Sequence, residues 1–437
     1  MKSRKIIKSI YFGLIPIFTL MLLQNKKIIF FIFGLIFITI FYFFYLNFFS
    51  KKILNIFFEP SFLMLLCFDL YSVMCVIQFL LDGGKPRIYF FSINEISMLQ
   101  DAKLSFFIAY IYVTFMLLKK KNFLLDNAKK INPITYFNLC DVVASVISFY
   151  FLVLGIQNNF FSFNVSLLEI HTKFDNDSAK YFSLIMTIYF LLNSNSLIGI
   201  AYKKNFTVRE LFVNFLFVIF WGSMIFIGRR WFFNCLLMLV AVKIKLSDKK
   251  VNTYKNIIIF AIAGVLFMFI GLLRNEGNFE LTFKDFFYYC FGEFILIGYV
   301  TIPFLNWKGK YLYGSTYLIN VLYSFLPRAI FTDKPLSLGL QFKHMYRLNV
   351  AFAFNPVAEA LWNFSIGSLI ILPLILAIYV VITDKLVKKN VHISILFLGS
   401  IFEFCRGTMA TFIFQMVISI IIYLMFSKIS RYKLKMR

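Results

Sequence analysis

Residues 28–49 read IIFFIFGLIFITIFYFFYLNFF, long enough to cross a bilayer and free of any charged side chain. A spanning helix needs about 20 apolar residues, and a helix keeps all its backbone N–H and C=O groups bonded inside hydrocarbon. The run is apolar on every side, so it reads as a transmembrane helix. Comparable runs lie at 9–23, 57–81, 104–118, 139–156, 181–200, 211–227, 231–242, 257–273, 357–382, 393–404 and 408–426. The less regular stretch 286–326 reads either as two crossings joined at 306–310 or as a re-entrant hairpin from outside. The expected fold is all-α: one transmembrane domain over 1–437, a bundle of about 12 helices within a range of about 11–14. The run at 9–23 has a basic flank, a kinking Pro16 and no small-residue cleavage site, so it is expected to be retained.

The composition of the whole chain points the same way. Of 437 residues 61% are hydrophobic, Phe alone supplies 61, charged residues make up 15% and the mean hydropathy is +0.81. Those values exclude a soluble protein. The six cysteines include no CxxC pair and fall mostly inside apolar runs, so they read as small core residues and imply neither a disulfide framework nor a zinc site.

Forty-five Lys and Arg against 20 Asp and Glu leave a net charge of +25. On a membrane protein such an excess is first a topology signal, because basic loops stay cytoplasmic. The densest Lys clusters, at 1–8, 51–52, 119–130, 203–204, 243–255, 385–389 and the C-terminal tail, fall on one side of the alternating runs. Both termini are then cytoplasmic, and the outer segments are about 82–103, 157–180, 228–230, 274–285 and 327–356. The charge therefore implies a membrane-lipid environment and no nucleic-acid partner.

Arginine breaks this pattern. Seven of the 11 Arg (Arg87, Arg229, Arg230, Arg274, Arg328, Arg347 and Arg406) lie on the side the topology makes external. Lys is a compact solvated charge, whereas the planar Arg fork grips carboxylate or phosphate through two parallel hydrogen bonds. An arginine-lined outer face points to an anionic ligand near the bilayer surface. Arg229 and Arg230 sit with Gly228 between two short apolar runs, where burying each Arg costs roughly 2.5–3.5 kcal/mol unless a partner compensates. Snorkelling or a salt bridge to a neighbouring Glu is the plainer account of the pair. Arg274 ends another helix on the same face. Pro327-Arg328 with Asp333-Lys334-Pro335 makes a stiff, non-helical outer piece that adds two cations.

Two acids stand in apolar surroundings, and intramembrane carboxylates are functional candidates. Glu293 lies in Phe291-Gly292-Glu293-Phe294. Glu359 lies in Asn355-Pro356-Val357-Ala358-Glu359, within the first turn of its helix, where the macrodipole favours an ionised carboxylate. Both could instead only neutralise nearby arginines. Glu403 shares a helix face with Arg406 and reads as structural. Asp175-Asn176-Asp177 reads as a solvated loop, and His171, His344 and His392 are isolated, so no metal site or catalytic histidine is expected. No Walker A or GxGxxG pattern suggests an ATP-driven pump.

The order of several motifs resembles the Wzy-type polymerases of O-antigen and related repeat units. These are Gly228-Arg229-Arg230, Gly271-Leu272-Leu273-Arg274, Gly292-Glu293-Phe294, Tyr313-Gly314-Ser315-Thr316-Tyr317, Pro327-Arg328 with Asp333-Lys334-Pro335, Glu359 with Asn363-Phe364, and Arg406-Gly407. They cover 228–407. Where the family usually has a glycine after the asparagine and phenylalanine, this chain has Ser365. The resemblance implies a GT-C-like bundle in the bacterial inner membrane, acting on its periplasmic face with undecaprenyl-diphosphate-linked oligosaccharide. It also allows for a separate chain-length regulator. On this reading Arg229, Arg230, Arg274, Arg328, Lys334 and Arg406 hold the diphosphate and stabilise its developing charge without a metal or other cofactor. Glu359, or else Glu293, takes the proton of the attacking sugar hydroxyl.

A lipid-linked oligosaccharide flippase is the alternative, but no matching halves are visible in the sequence. An O-antigen ligase shares substrate and face and differs in the acceptor. The arginine reading carries its own test: Arg230→Ala abolishes chain extension, and Arg230→Lys is also severe because Lys cannot form the fork. Full polymer from the lysine variant at normal expression removes the bidentate grip.

Overall fold

A computed structural model describes residues 27–47, 59–85, 93–118, 282–326, 333–348, 353–389 and 407–435, with a few isolated positions between them. Every regular element among the described residues is helical. Four helical segments there are long and apolar enough to cross a membrane: Ile28–Asn47, Pro60–Leu81, Glu95–Leu118 and Pro356–Thr383. The first three are numbered α1, α2 and α3. They are followed by α4 (Phe283–Tyr299), α5 (Ile302–Leu305), α6 (Ser315–Ser324), α7 (Leu338–Tyr346), α8 (Pro356–Phe364), α9 (Ser368–Lys389) and α10 (Met409–Lys435).

α1 shows why this is a membrane bundle. Phe31, Leu35, Ile38 and Tyr42 are buried, while Phe30, Phe33, Phe37 and Phe44 are exposed on the other side. Both faces are apolar, so the exposed one suits lipid and not water. α1, α2 and α3 pack on one another. At one end Ser61 joins all three: its hydroxyl accepts the Tyr42 O–H at 2.8 Å, and its carbonyl accepts the Tyr112 O–H at 2.9 Å. Further along, the Thr39 hydroxyl donates to the buried Asp69 carboxylate, linking α1 to α2.

α4 lies along α2 because Gly298 lets the backbones meet. A Cβ there would fall 2.6 Å from the Tyr71 carbonyl oxygen and 2.9 Å from Cys75 Sγ. Beside it the Tyr299 hydroxyl bonds the Cys75 carbonyl at 3.2 Å and the Gln78 side chain, and Phe294 packs against Tyr71 with ring centroids 5.0 Å apart. The stretch 286–326 is thus α4, short α5, a loop and α6. With ten residues, α6 is about 15 Å long, half the hydrocarbon thickness, and does not cross by itself. The expected outer segment 327–356 contains α7, and Pro356 at its end is buried as the first residue of α8.

The apolar run at 357–382 is not one straight helix. Phe364 ends α8, a single 3-10 turn (Ser365–Gly367) follows, and α9 begins at Ser368. Ser365 has φ 52° and ψ −131°, which turns the chain back on itself. Val357 and Leu376 consequently line the same cavity, whereas a straight helix would hold them roughly 28 Å apart. α8 and α9 form a hairpin, with Ile366 exposed at its tip and α9 packed on α2 and α3. An L-residue at that φ carries about 1–3 kcal/mol of strain that glycine avoids. Ser365→Gly is therefore expected to raise the thermal unfolding midpoint of the purified protein. An unchanged or lower midpoint removes the strain assignment.

Candidate functional site

The cluster around Glu359 is built from three helix beginnings. α8 starts where Asn355 and Pro356 make a regular N-terminus: Asn355 Oδ1 accepts the Ala358 N–H at 2.7 Å, and proline at the first helical position lacks only a donor that would be unbonded anyway. Asn355 Nδ2 donates to the Ile297 carbonyl at 2.6 Å and to Thr301 Oγ1 at 2.9 Å, which pins α8 to α4 and its following turn. Thus one side chain both caps the helix and sets its position.

Four residues on is Glu359, 1% exposed. Its Oε2 accepts the backbone N–H of Met409, the first residue of α10, at 2.8 Å. Helix N-termini leave backbone donors unbonded and carry partial positive charge, so a carboxylate is a suitable cap. Thr408 completes that end, its hydroxyl accepting the Thr411 N–H at 3.4 Å.

The third beginning is that of α6. Tyr313 (φ 47°) and Gly314 (φ 82°) both adopt the left-handed conformation just before it, and a Cβ on Gly314 would approach the Phe364 ring to 3.3 Å. Asn363, one turn beyond Glu359, ties this loop down. Its Oδ1 accepts the Gly314 N–H at 2.9 Å, and its Nδ2 donates to Thr316 Oγ1 at 2.8 Å and to the Glu359 carbonyl at 2.7 Å. Leu312 N–H adds a bond to the Trp362 carbonyl at 3.1 Å. The Thr316 hydroxyl lies beside the Glu359 carboxylate, and Tyr317 stacks on Phe364 with centroids 5.5 Å apart.

Three buried polar atoms at this junction have no hydrogen-bond partner among the described residues: Glu359 Oε1, the Tyr317 hydroxyl and Trp362 Nε1. Buried polar groups are nearly always paired, and each exception calls for an explanation. One carboxylate oxygen is committed to the fold while the other is open to accept a proton or hydrogen bond. The arrangement can do general-base chemistry if a hydroxyl reaches Oε1.

The other sequence candidates fall elsewhere. Glu293 lies on α4, and its side chain is outside the described residues. Arg229, Arg230, Arg274, Arg328 and Arg406 also lie outside them, as does Glu403. Lys334 is half-buried and donates to the Leu326 carbonyl at 3.0 Å, which anchors the 333–335 segment just past the end of α6. Arg347 is exposed and caps the C-terminus of α7. Asn355, Thr316 and Tyr317 were not singled out individually from the sequence, although the Asn-Pro pair is the signature of a capped helix start.

No family model, no curated protein and no solved structure matches this chain.

Asn363 is the most connected side chain of the cluster. Asn363→Ala leaves the Gly314 N–H and the Thr316 hydroxyl without their partner, at about 1–3 kcal/mol for each buried group. Thermal unfolding should show a clear loss of stability, against a small one for Asn306→Ala, whose bond to Gln100 at 3.1 Å is exposed. Equal effects would show that Asn363 does not organise the cluster.

Proposed function

We propose that this protein is a polysaccharide repeat-unit polymerase, with Glu359 as the general base. The supporting observation is that the loop 313–317, the α8 segment 359–364 and the start of α10 at 407–409 meet around one buried carboxylate. These are parts of the same motifs that carry the resemblance to Wzy-type polymerases, and they lie roughly 50 residues apart along the chain. Ser365 adds support, since it holds a glycine-favouring backbone conformation at the place where that family usually has glycine.

In this reaction the hydroxyl of an incoming lipid-linked repeat unit attacks the anomeric carbon of the growing glycan. The bond from that carbon to the phosphate oxygen breaks, and undecaprenyl diphosphate leaves. Glu359 Oε1 takes the hydroxyl proton, while Met409 N–H keeps Oε2 in place. Arg229, Arg230, Arg274, Arg328 and Arg406 hold the diphosphate and balance its developing charge, so the chemistry requires no metal. Lys334 contributes by bracing the outer segment. The same reading implies a GT-C-like bundle of about 12 helices in the bacterial inner membrane, with both termini cytoplasmic, the site on the periplasmic face and room for a chain-length regulator as a partner protein.

Glu359→Gln separates structure from chemistry. The amide oxygen can still accept the Met409 N–H, so the variant folds, but it cannot serve as the base. In a host lacking the gene, the wild type should restore long lipopolysaccharide chains. The Gln variant should leave lipid A-core capped by a single repeat unit. Normal polymer length and yield from this variant would remove Glu359 as the base. A deletion strain with no repeat unit attached at all would redirect the assignment to export or ligation.

A further inference from the structure

A second buried carboxylate lies outside the Glu359 cluster. Between α2, α3, the end of α4 and the α8–α9 hairpin is a small cavity of about 20 Å³, walled in part by Met64, Phe68 and Leu376. Asp101, in the second turn of α3, lines it and is 3% exposed. No described residue donates a hydrogen bond to it. None of the described residues lining the cavity carries a positive charge. An isolated ionised carboxylate in a membrane interior is costly, so Asp101 either holds a proton or has its charge matched by a cation.

The cavity wall around Asp101 supplies oxygen. Ser72 and Ser105 are buried on α2 and α3, and Thr301 and Asn355 face the same space. Ser72 donates its hydroxyl proton to the Phe68 carbonyl at 3.2 Å, which leaves its oxygen lone pairs free. Thr301 Oγ1 accepts only from Asn355 Nδ2 among the described residues and retains a lone pair. One carboxylate and several neutral oxygens are hard ligands with a total charge of −1. That set balances a monovalent cation, whereas a divalent ion would leave net charge buried.

We propose that this cavity binds a sodium-sized monovalent cation, with Asp101 as its anionic ligand and the hydroxyls of Ser72, Ser105 and Thr301 as neutral ones. The site is distinct from the Glu359 cluster but mechanically joined to it. Asn355 lines the cavity and also caps α8, so cation occupancy stiffens the helix that carries Glu359.

The test is thermal unfolding of the purified full chain, in lipid nanodiscs, in sodium, potassium or choline chloride at equal ionic strength and at several pH values. Sodium should raise the midpoint with the logarithm of its concentration above its Kd, and at 100 times its Kd it should lower the unfolded population about 100-fold. Asp101→Asn should abolish the response. Ser105→Ala should shift the sodium titration to higher concentration, and it carries the test if Asp101→Asn does not fold. Asp69→Asn, on the α1 side of α2, should keep the response. The proposal is overturned by a midpoint indifferent to sodium, by acidification alone reproducing the stabilisation, or by a sodium response that survives the Asp101 and Ser105 substitutions.

Discussion

The hydrogen bond from Met409 N–H to Glu359 Oε2 joins the half-buried start of α10 to a carboxylate in the protein interior, where water is not available to satisfy it. A helix start needs partners for its first donors, and a buried carboxylate needs donors for its oxygens. Each meets the other's requirement. The start of α6 is fixed to the same place through Asn363, so positions 314, 316, 359, 363 and 409 form one bonded unit. If Glu359 lost its charge-bearing group altogether, the start of α10 and the loop before α6 would both need new arrangements. That dual role makes the isosteric amide, and not alanine, the informative replacement.

The hairpin of α8 and α9 follows from the same requirement. Nine residues of helix reach about 13 Å, so the chain must turn back before crossing. The turn is made by Ser365 at a positive φ, and the hairpin's inner end is held by Asn355 against the Ile297 carbonyl and Thr301. The polar side chains at both ends of α8 therefore decide where Glu359 comes to rest. Phe304, Phe342, Phe354 and Trp362 pack edge and face with centroids 5.0–6.1 Å apart and form a buried aromatic cluster that includes α8 through Trp362.

Hydropathy was enough to read α1 and α2 from the sequence, because a membrane-spanning helix depends on length and apolarity. It started α3 at 104 and left 95–103 in the outer segment 82–103, because Glu95, Gln100, Asp101 and Lys103 interrupt the apolar run while the helix continues through them. At 357–382 it found the apolar segment but not the break at 365–367, because a hairpin of two apolar helices and one straight helix have the same composition. The break rests on one backbone angle at Ser365, and a serine does not announce a positive φ as glycine would. Glu359 stood out as an acid in an apolar run. Its partner Met409 could not be found that way, since a backbone N–H is present at every residue but proline and the contact spans 50 positions. Asn363 was visible within a motif, but its bonds to Gly314 and Thr316 depend on how α6 and α8 meet.

The two sides of α1 face different kinds of neighbour. Phe31, Leu35 and Ile38 meet fixed protein atoms of α2 and α3, whereas Phe30 and Phe33 are exposed on an apolar face that in a bilayer would meet hydrocarbon chains, which rearrange around any shape. Fluid lipid accommodates an exchange of Phe for Leu or Ile with little change in contact, while a packed interior does not. Sequence drift along this helix is thus free in identity on one side and restricted in volume on the other. The residues of α1 that constrain the fold are those turned inward.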